Sequence, residues 1–251
     1  MLPKAVKRLI PKSLYTHATL SYLSMVEFID DGYFKYKVDA RCQSIVSKIR
    51  PYTMVGRKGL INTYRIVELV ESAVEDQSLS IVECGVARGG ISAMMALQCK
   101  NRPIWCFDSF EGLPSPTEND SIYNTPLTND RHESALSKGY CLGTYEEVSD
   151  LFFNKLKLGD NVKLVKGWFE DTLPLYKSRV GKIAFLRMDG DWYESTKCVL
   201  ESLYDNVVPG GYILIDDYYL AGCKKAVDEF FVKYNIESTM NIYGQGAYFR
   251  K

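Results

Sequence analysis

The chain has 251 residues, 46% of them hydrophobic, and its 31 Lys+Arg balance its 31 Asp+Glu. That size suffices for one α/β domain with a full core and some appended structure. Zero net charge excludes a global field that would recruit nucleic acid, and no basic run interleaved with aromatics occurs.

Residues 1–51 show no clean strand pattern and are expected to form helices and loops flanking the core. Met1–Thr16 is basic, with Lys4, Lys7, Arg8 and Lys12 and no acids. Pro3 and Pro11 interrupt it, and it lacks a signal-peptide core. It reads as an irregular arm or an oligomer contact. Residues 58–77 carry an apolar stripe at Leu60, Ile61, Tyr64, Val67, Val70 and Val74, which predicts a helix. A strand over 78–85 runs into a glycine turn, and a helix follows over 91–100. Ile104–Asp108 reads as a short buried strand.

Residues 113–142 differ: they are rich in Pro, Asn, Asp, Ser and Thr and have no periodicity. So long a connection inside a compact domain is usually functional, and a substrate lid is expected here. Beyond it the patterns predict a helix over 145–156 and strands over 162–166 and 183–186. A helix over 193–207, a strand over 212–215 and a helical stripe from Cys223 to Tyr234 follow. A terminal hairpin is expected around Gly244. Strands alternating with helices imply a doubly wound, mostly parallel sheet. No apolar stretch is long enough to span a bilayer. The seven cysteines form no CxxC pair and read as reduced thiols of a cytoplasmic protein. No zinc site is expected among them, with only His17 and His132 to join.

Two phrases carry the chemistry. Leu186–Asp191 closes one apolar run with Asp189 and Asp191, and Gly211–Asp217 closes the next with Asp216 and Asp217. Parallel strands would end these runs on one sheet edge, where open α/β sheets bind ligands. Four carboxylates gathered there repel one another and resist burial unless a cation or shared protons neutralise them. Hard oxygen ligands favour Mg²⁺, Ca²⁺ or Mn²⁺. The competing explanation is helix capping, which suits Asp191 alone. If the chain turns at Gly190, Asp189 and Asp191 can diverge toward different tasks.

Glu83–Gly90 reads as a strand end, a glycine turn and a helix start. Its G-x-x-x-G-G spacing fits neither the dinucleotide fingerprint nor a P-loop. It fits the first motif of S-adenosylmethionine (SAM) methyltransferases better, with Gly85 allowing close backbone approach. Asp108, ending the next strand, could accept hydrogen bonds from ribose hydroxyls. Trp168 and Phe169, after Gly167, could flank an adenine ring or simply pack in the core. His132, in the long polar connection, is a candidate substrate contact or a plain surface residue.

With these phrases in order, the chain from Tyr52 resembles the macrocin O-methyltransferase family, SAM- and magnesium-dependent sugar O-methyltransferases of antibiotic biosynthesis. The matching stretches are Thr53-Met54-Val55, Val82–Val86 with Arg88-Gly89-Gly90, Phe107–Pro114 and Lys166–Pro174. Further on come Asp189-Gly190-Asp191 with Tyr193–Thr196, and Pro209-Gly210-Gly211 leading to Asp216-Asp217-Tyr218. Ala87, Trp192 and Phe249 stand where the family typically has Trp, Leu and Trp, and the first fifty residues match poorly.

The resemblance implies a methyltransferase domain over 52–251, with the Rossmann-like sheet of class I SAM methyltransferases. It also implies Mg²⁺ on Asp189, Asp216 and Asp217, with Asp191 as general base. It places the SAM site around Glu83, Gly85, Asp108 and Ser109, and Thr53, Met54, Gly167, Trp168 and Phe169 are further candidate cofactor-binding residues. The acceptor would be the hydroxyl of a sugar or glycoside. The alternatives are a catechol-type enzyme acting on a planar diol, and a non-catalytic nucleotide-binding scaffold.

Overall fold

The computed structural model describes residues 38–99, 101–122, 125–126 and 138–251. His132 and the basic arm lie outside them. The first described helix, α1 (Ala40–Ile49), is capped by Asp39, whose carboxylate accepts the Cys42 N–H at 2.6 Å. Cys42, Val46 and Ile49 on its inner face are buried in the same core cluster as the sheet. Residues 40–49 are therefore packed against the sheet. The helix α2 (Arg57–Ala73) buries the predicted stripe of Leu60, Ile61, Tyr64, Val67 and Val70.

Then come β1 (Ser80–Cys84), α3 (Gly90–Gln98) and β2 (Ile104–Asp108). The long connection holds a two-stranded ladder, β3 (Ser121–Ile122) with β4 (Thr125–Pro126). Its two ends are tied together. Leu113 N–H donates to the Tyr140 carbonyl at 2.8 Å, and Gly139 N–H donates to that of Leu113 at 2.9 Å. The expected helix over 145–156 is an α-helical start, α4 (Tyr145–Ser149), widening into a π-turn over Asp150–Lys155. Thr144 and Glu147 cap it reciprocally.

After β5 (Val162–Lys166) the structure adds a helix that no sequence pattern announced, α5 (Phe169–Val180). Pro174 lies inside it and Leu175 is exposed, while only Thr172, Leu173 and Val180 are buried, so the apolar period is broken. The chain continues through β6 (Ile183–Met188), α6 (Tyr193–Leu203), β7 (Val207–Ile215) and α7 (Ala221–Tyr234). It ends in the predicted hairpin, β8 (Asn241–Tyr243) and β9 (Gly246–Arg250).

Seven strands form one sheet in the order β5-β2-β1-β6-β7-β9-β8. The first five are parallel, and β9 and β8 are antiparallel additions. One face buries Ile81, Ile104 and Phe185 with α1, α2 and α3. The other buries Val82, Trp105, Leu186 and Ile213 with residues of α5, α6 and α7. Both faces are covered, so β1 and β6 are buried at every residue. The direction of winding reverses between β1 and β6, which opens a crevice at their carboxyl ends. Among the described residues no helix is long and apolar enough to cross a membrane. None of the seven cysteines is joined in a disulfide, and five of them are buried.

Candidate active site

Strand register assembles the site. Cys84 pairs with Phe107 on one side and Met188 on the other, and Met188 pairs with Ile215. The residues that follow, Gly85, Asp108, Asp189 and Asp216, therefore emerge side by side along one edge. Gly85 adopts φ +98°, and a Cβ there would lie 1.7 Å from the Asp189 carbonyl oxygen. Glycine is required at this point by the neighbouring strand end, before any ligand is considered.

Beneath this edge lies a residue that the sequence reading passed over. Arg187 is fully buried, and register sets it directly beside Glu83. Its Nη1 donates to Glu83 Oε1 and to Asp189 Oδ2, both at 2.7 Å. Its Nη2 lies 2.8 Å from Asp216 Oδ1. One guanidinium thus ties three strands through three carboxylates. Burial works against its charge, but Asp216, Asp189 and Glu83 hold the proton on and raise its pKa. Burial raises Glu83 to about 7 despite Arg187 and the Ser92 hydroxyl, which donates to its other oxygen. Both Glu83 oxygens therefore face inward.

Above Arg187 the carboxylates of Asp189, Asp191 and Asp217 each bring an oxygen within 4.8 Å of the others. The chain does turn at Gly190, with Asp191 taking the left-handed conformation at φ +56°. Asp189 and Asp191 nevertheless stay together instead of diverging. The Asp191 N–H donates to Asp217 Oδ2 at 3.2 Å. Of the three ligands expected from the sequence, Asp189 and Asp217 are gathered with Asp191, and Asp216 turns one oxygen to Arg187.

Burial, followed by Asp189 and Asp216, pushes Asp191 well above the ordinary carboxylate range. Burial, then Asp191 and Asp189, does the same to Asp217, and burial lifts Asp216 to about 6 against the pull of Arg187. An array of hard oxygen donors that holds protons against burial fits a divalent cation, whose charge would replace those protons.

A pH dependence follows. Glu83, Asp191, Asp216 and Asp217 bind protons more tightly folded than unfolded, so stability falls as pH rises from the ordinary carboxylate range through about 7. The metal-free protein is expected to melt at lower temperature at pH 7.5 than at pH 5.5. Added Mg²⁺ should raise the melting temperature more at the higher pH. Thermal unfolding at both values, with and without Mg²⁺, checks this.

The residues expected around SAM lie along the same edge. Asp108 Oδ2 accepts the N–H groups of Val86 and Ala87 at 2.7 and 2.9 Å, and Oδ1 accepts that of Phe110 at 2.7 Å. Its carboxylate thus braces the glycine turn. Ser109 is buried, and its Oγ accepts the Glu111 N–H at 3.1 Å. Thr53 is buried against the start of α3, where a Cβ on Gly90 would lie 2.8 Å from its own Cβ. Met54 beside it is exposed. Gly167 N–H donates to the Asp108 carbonyl at 2.9 Å, which sets the ends of β5 and β2 together. Trp168 is half-buried at the cap of α5. Phe169 lies against the other turn, its Cε2 at 3.3 Å from where a Gly190 Cβ would stand.

The profile of the family Macrocin-O-methyltransferase (TylF) matches residues 6–251. The chain belongs to this family. The match begins at residue 6, well before Tyr52, so most of the first fifty residues, which carry no short motif, share the likeness too. The chain is 34% identical over 223 residues to a demethyldecarbamoylnovobiocin O-methyltransferase of Streptomyces niveus, covering 86% of this chain and 82% of that protein. It is also 34% identical over 207 residues to mycinamicin III 3''-O-methyltransferase of Micromonospora griseorubida, covering 80% and 78%. Among solved structures it resembles the O-methyltransferase NovP, with 30% identity and a TM-score of 0.66 over 96% of this chain and 99% of that one. The family is one of O-methyltransferases, and the Rossmann-like sheet and its carboxyl edge are the shared frame.

Proposed function

We propose that the protein transfers a methyl group from SAM to a hydroxyl of a sugar or glycoside, with Mg²⁺ bound at the aspartate cluster. The observation that carries this reading is the meeting of Asp189, Asp191 and Asp217 within 4.8 Å, one strand from the glycine turn. The relatives' names support the acceptor class, since one is an 8-demethyl-8-(2,3-dimethoxy-alpha-L-rhamnosyl)-tetracenomycin-C 4'-O-methyltransferase, whose name carries a rhamnosyl group. Seven cysteines without a disulfide suit a reducing cytoplasm.

Asp189 and Asp217 would hold the cation together with the Asp216 oxygen that Arg187 leaves free. Bound there, Mg²⁺ would lower the pKa of a coordinated hydroxyl. Arg187 sets the positions of Asp189 and Asp216 and balances their charge. Asp191 takes the acceptor's proton as its oxygen attacks the methyl carbon. The carbon–sulfur bond breaks as the carbon–oxygen bond forms, the sulfonium becomes a neutral thioether, and the proton rests on the Asp191 carboxylate. The glycine turn, braced by Asp108, seats the donor, and the strand ends align donor with acceptor.

Mass spectrometry of acceptor pools incubated with isotopically labelled SAM tests the acceptor. Labelled glycosides are the expected product. Labelling of catechols alone would replace the sugar reading with the planar-diol one, and binding of neither SAM nor Mg²⁺ would leave only a scaffold. For the donor, Asp108→Ala is expected to weaken SAM binding by roughly 1–3 kcal/mol, the scale of hydrogen bonds to a charged group. Calorimetry showing unchanged SAM affinity would remove Asp108 from the donor site.

A further inference from the structure

Tyr193 opens α6 two residues after Asp191, and its N–H has no partner within the helix. Trp192, at the cap position, makes no capping hydrogen bond through its side chain. The acceptor arrives from the long connection. Asp120 is buried to 1% exposure. Its Oδ1 accepts the Tyr193 N–H at 2.8 Å, and its Oδ2 accepts the N–H and hydroxyl of Thr117 at 2.7 and 2.9 Å. Room for it is made on α7, where a Cβ on Gly222 would lie 2.1 Å from Asp120 Oδ1. A second tie runs beside the first, from Trp192 Nε1 to the Pro114 carbonyl at 3.0 Å.

The two residues after Asp191 are thus gripped from outside their own helix. Asp191 itself sits at φ +56°, uncommon for a residue with a Cβ. Such a conformation persists only where its surroundings over-determine it. Because Asp120 satisfies the helix end, Asp191 is not spent on capping, and its carboxylate is left to the cluster.

We propose that Asp120 is a positioning residue: by capping α6 from the long connection, it fixes the left-handed turn that aims Asp191 at the acceptor hydroxyl. This rests on Asp191 being the base, and the test separates the two claims. Single-turnover methyl transfer and SAM affinity are measured for Asp120→Ala, Asp120→Asn, Gly222→Ala and the double variant Asp120→Ala/Asp191→Asn. Hydrogen exchange over residues 190–196 is measured on the same proteins without metal.

Asp120→Ala should slow transfer about 10–10²-fold, the cost of a small misplacement of a reacting group, with SAM affinity unchanged. Exchange over 190–196 should rise. Asp120→Asn keeps a carbonyl for Tyr193 and should recover most of the rate. Gly222→Ala displaces the carboxylate and should reproduce the loss. In the Asp191→Asn background, removing Asp120 should cost nothing further. An unchanged rate or unchanged exchange in Asp120→Ala overturns the proposal. So does a loss that persists undiminished in the Asp191→Asn background, which would make Asp120 purely structural. If the wild-type protein methylates no hydroxyl, the functional reading fails, and the exchange data alone decide whether Asp120 holds the turn.

Discussion

Asp191→Asn is expected to lower kcat about 10²–10⁴-fold, the usual contribution of a positioned general base, while SAM and Mg²⁺ still bind. Asparagine matches aspartate in shape, so the turn, the Asp191 N–H bond to Asp217 and the Asp120 cap on Tyr193 should all survive. The substitution removes the ability to accept a proton together with one negative charge. Metal affinity and single-turnover rate must be read on the same variant, because Asp191 lies within 4.8 Å of two proposed ligands. Loss of Mg²⁺ binding together with turnover would make Asp191 a ligand. Undiminished turnover would move the base elsewhere.

The second large effect is on stability. Arg187→Met should destabilise the metal-free protein by roughly 3–5 kcal/mol at pH 7.5, the cost of breaking a buried ion pair by removing one partner. Glu83 suffers most, because it has no exposure and its remaining partner is the Ser92 hydroxyl. Two arguments distinguish this from a simple packing loss. At pH 5.5 the loss should shrink, since Glu83, raised to about 7, is protonated there. Adding Glu83→Gln to Arg187→Met should recover part of the stability, because the stranded charge is removed. Chemical denaturation of the two variants at both pH values measures these differences.

How much of this was legible in the sequence depended on whether a residue's place is fixed by the sheet. Asp108, Asp189 and Asp216 each end a buried apolar run, and parallel register carries such ends to one edge. Their convergence could be read from the pattern alone. Arg187 could not, because one charge inside an apolar run looks like an interruption. The available signal was its position two residues before Asp189, with Glu83 equally placed before its own glycine turn. Asp120 was hidden for the opposite reason. It lies in a segment crowded with Asp, Asn, Ser and Thr, where nothing local marks Asp120 as a carboxylate that reaches a helix. Asp108 was legible as the end of its strand, but its three backbone partners depend on the shape of two turns. The helix α5 escaped because its inner face is thin and Pro174 breaks its period.

The most direct test of the whole account is single-turnover transfer from labelled SAM to a glycoside acceptor, first in exhaustive chelator and then with Mg²⁺ titrated back. Transfer should vanish in chelator and return in proportion to Mg²⁺ occupancy, with the label on a sugar hydroxyl. Transfer that proceeds undiminished after exhaustive chelation would contradict the metal-centred reading of the aspartate cluster.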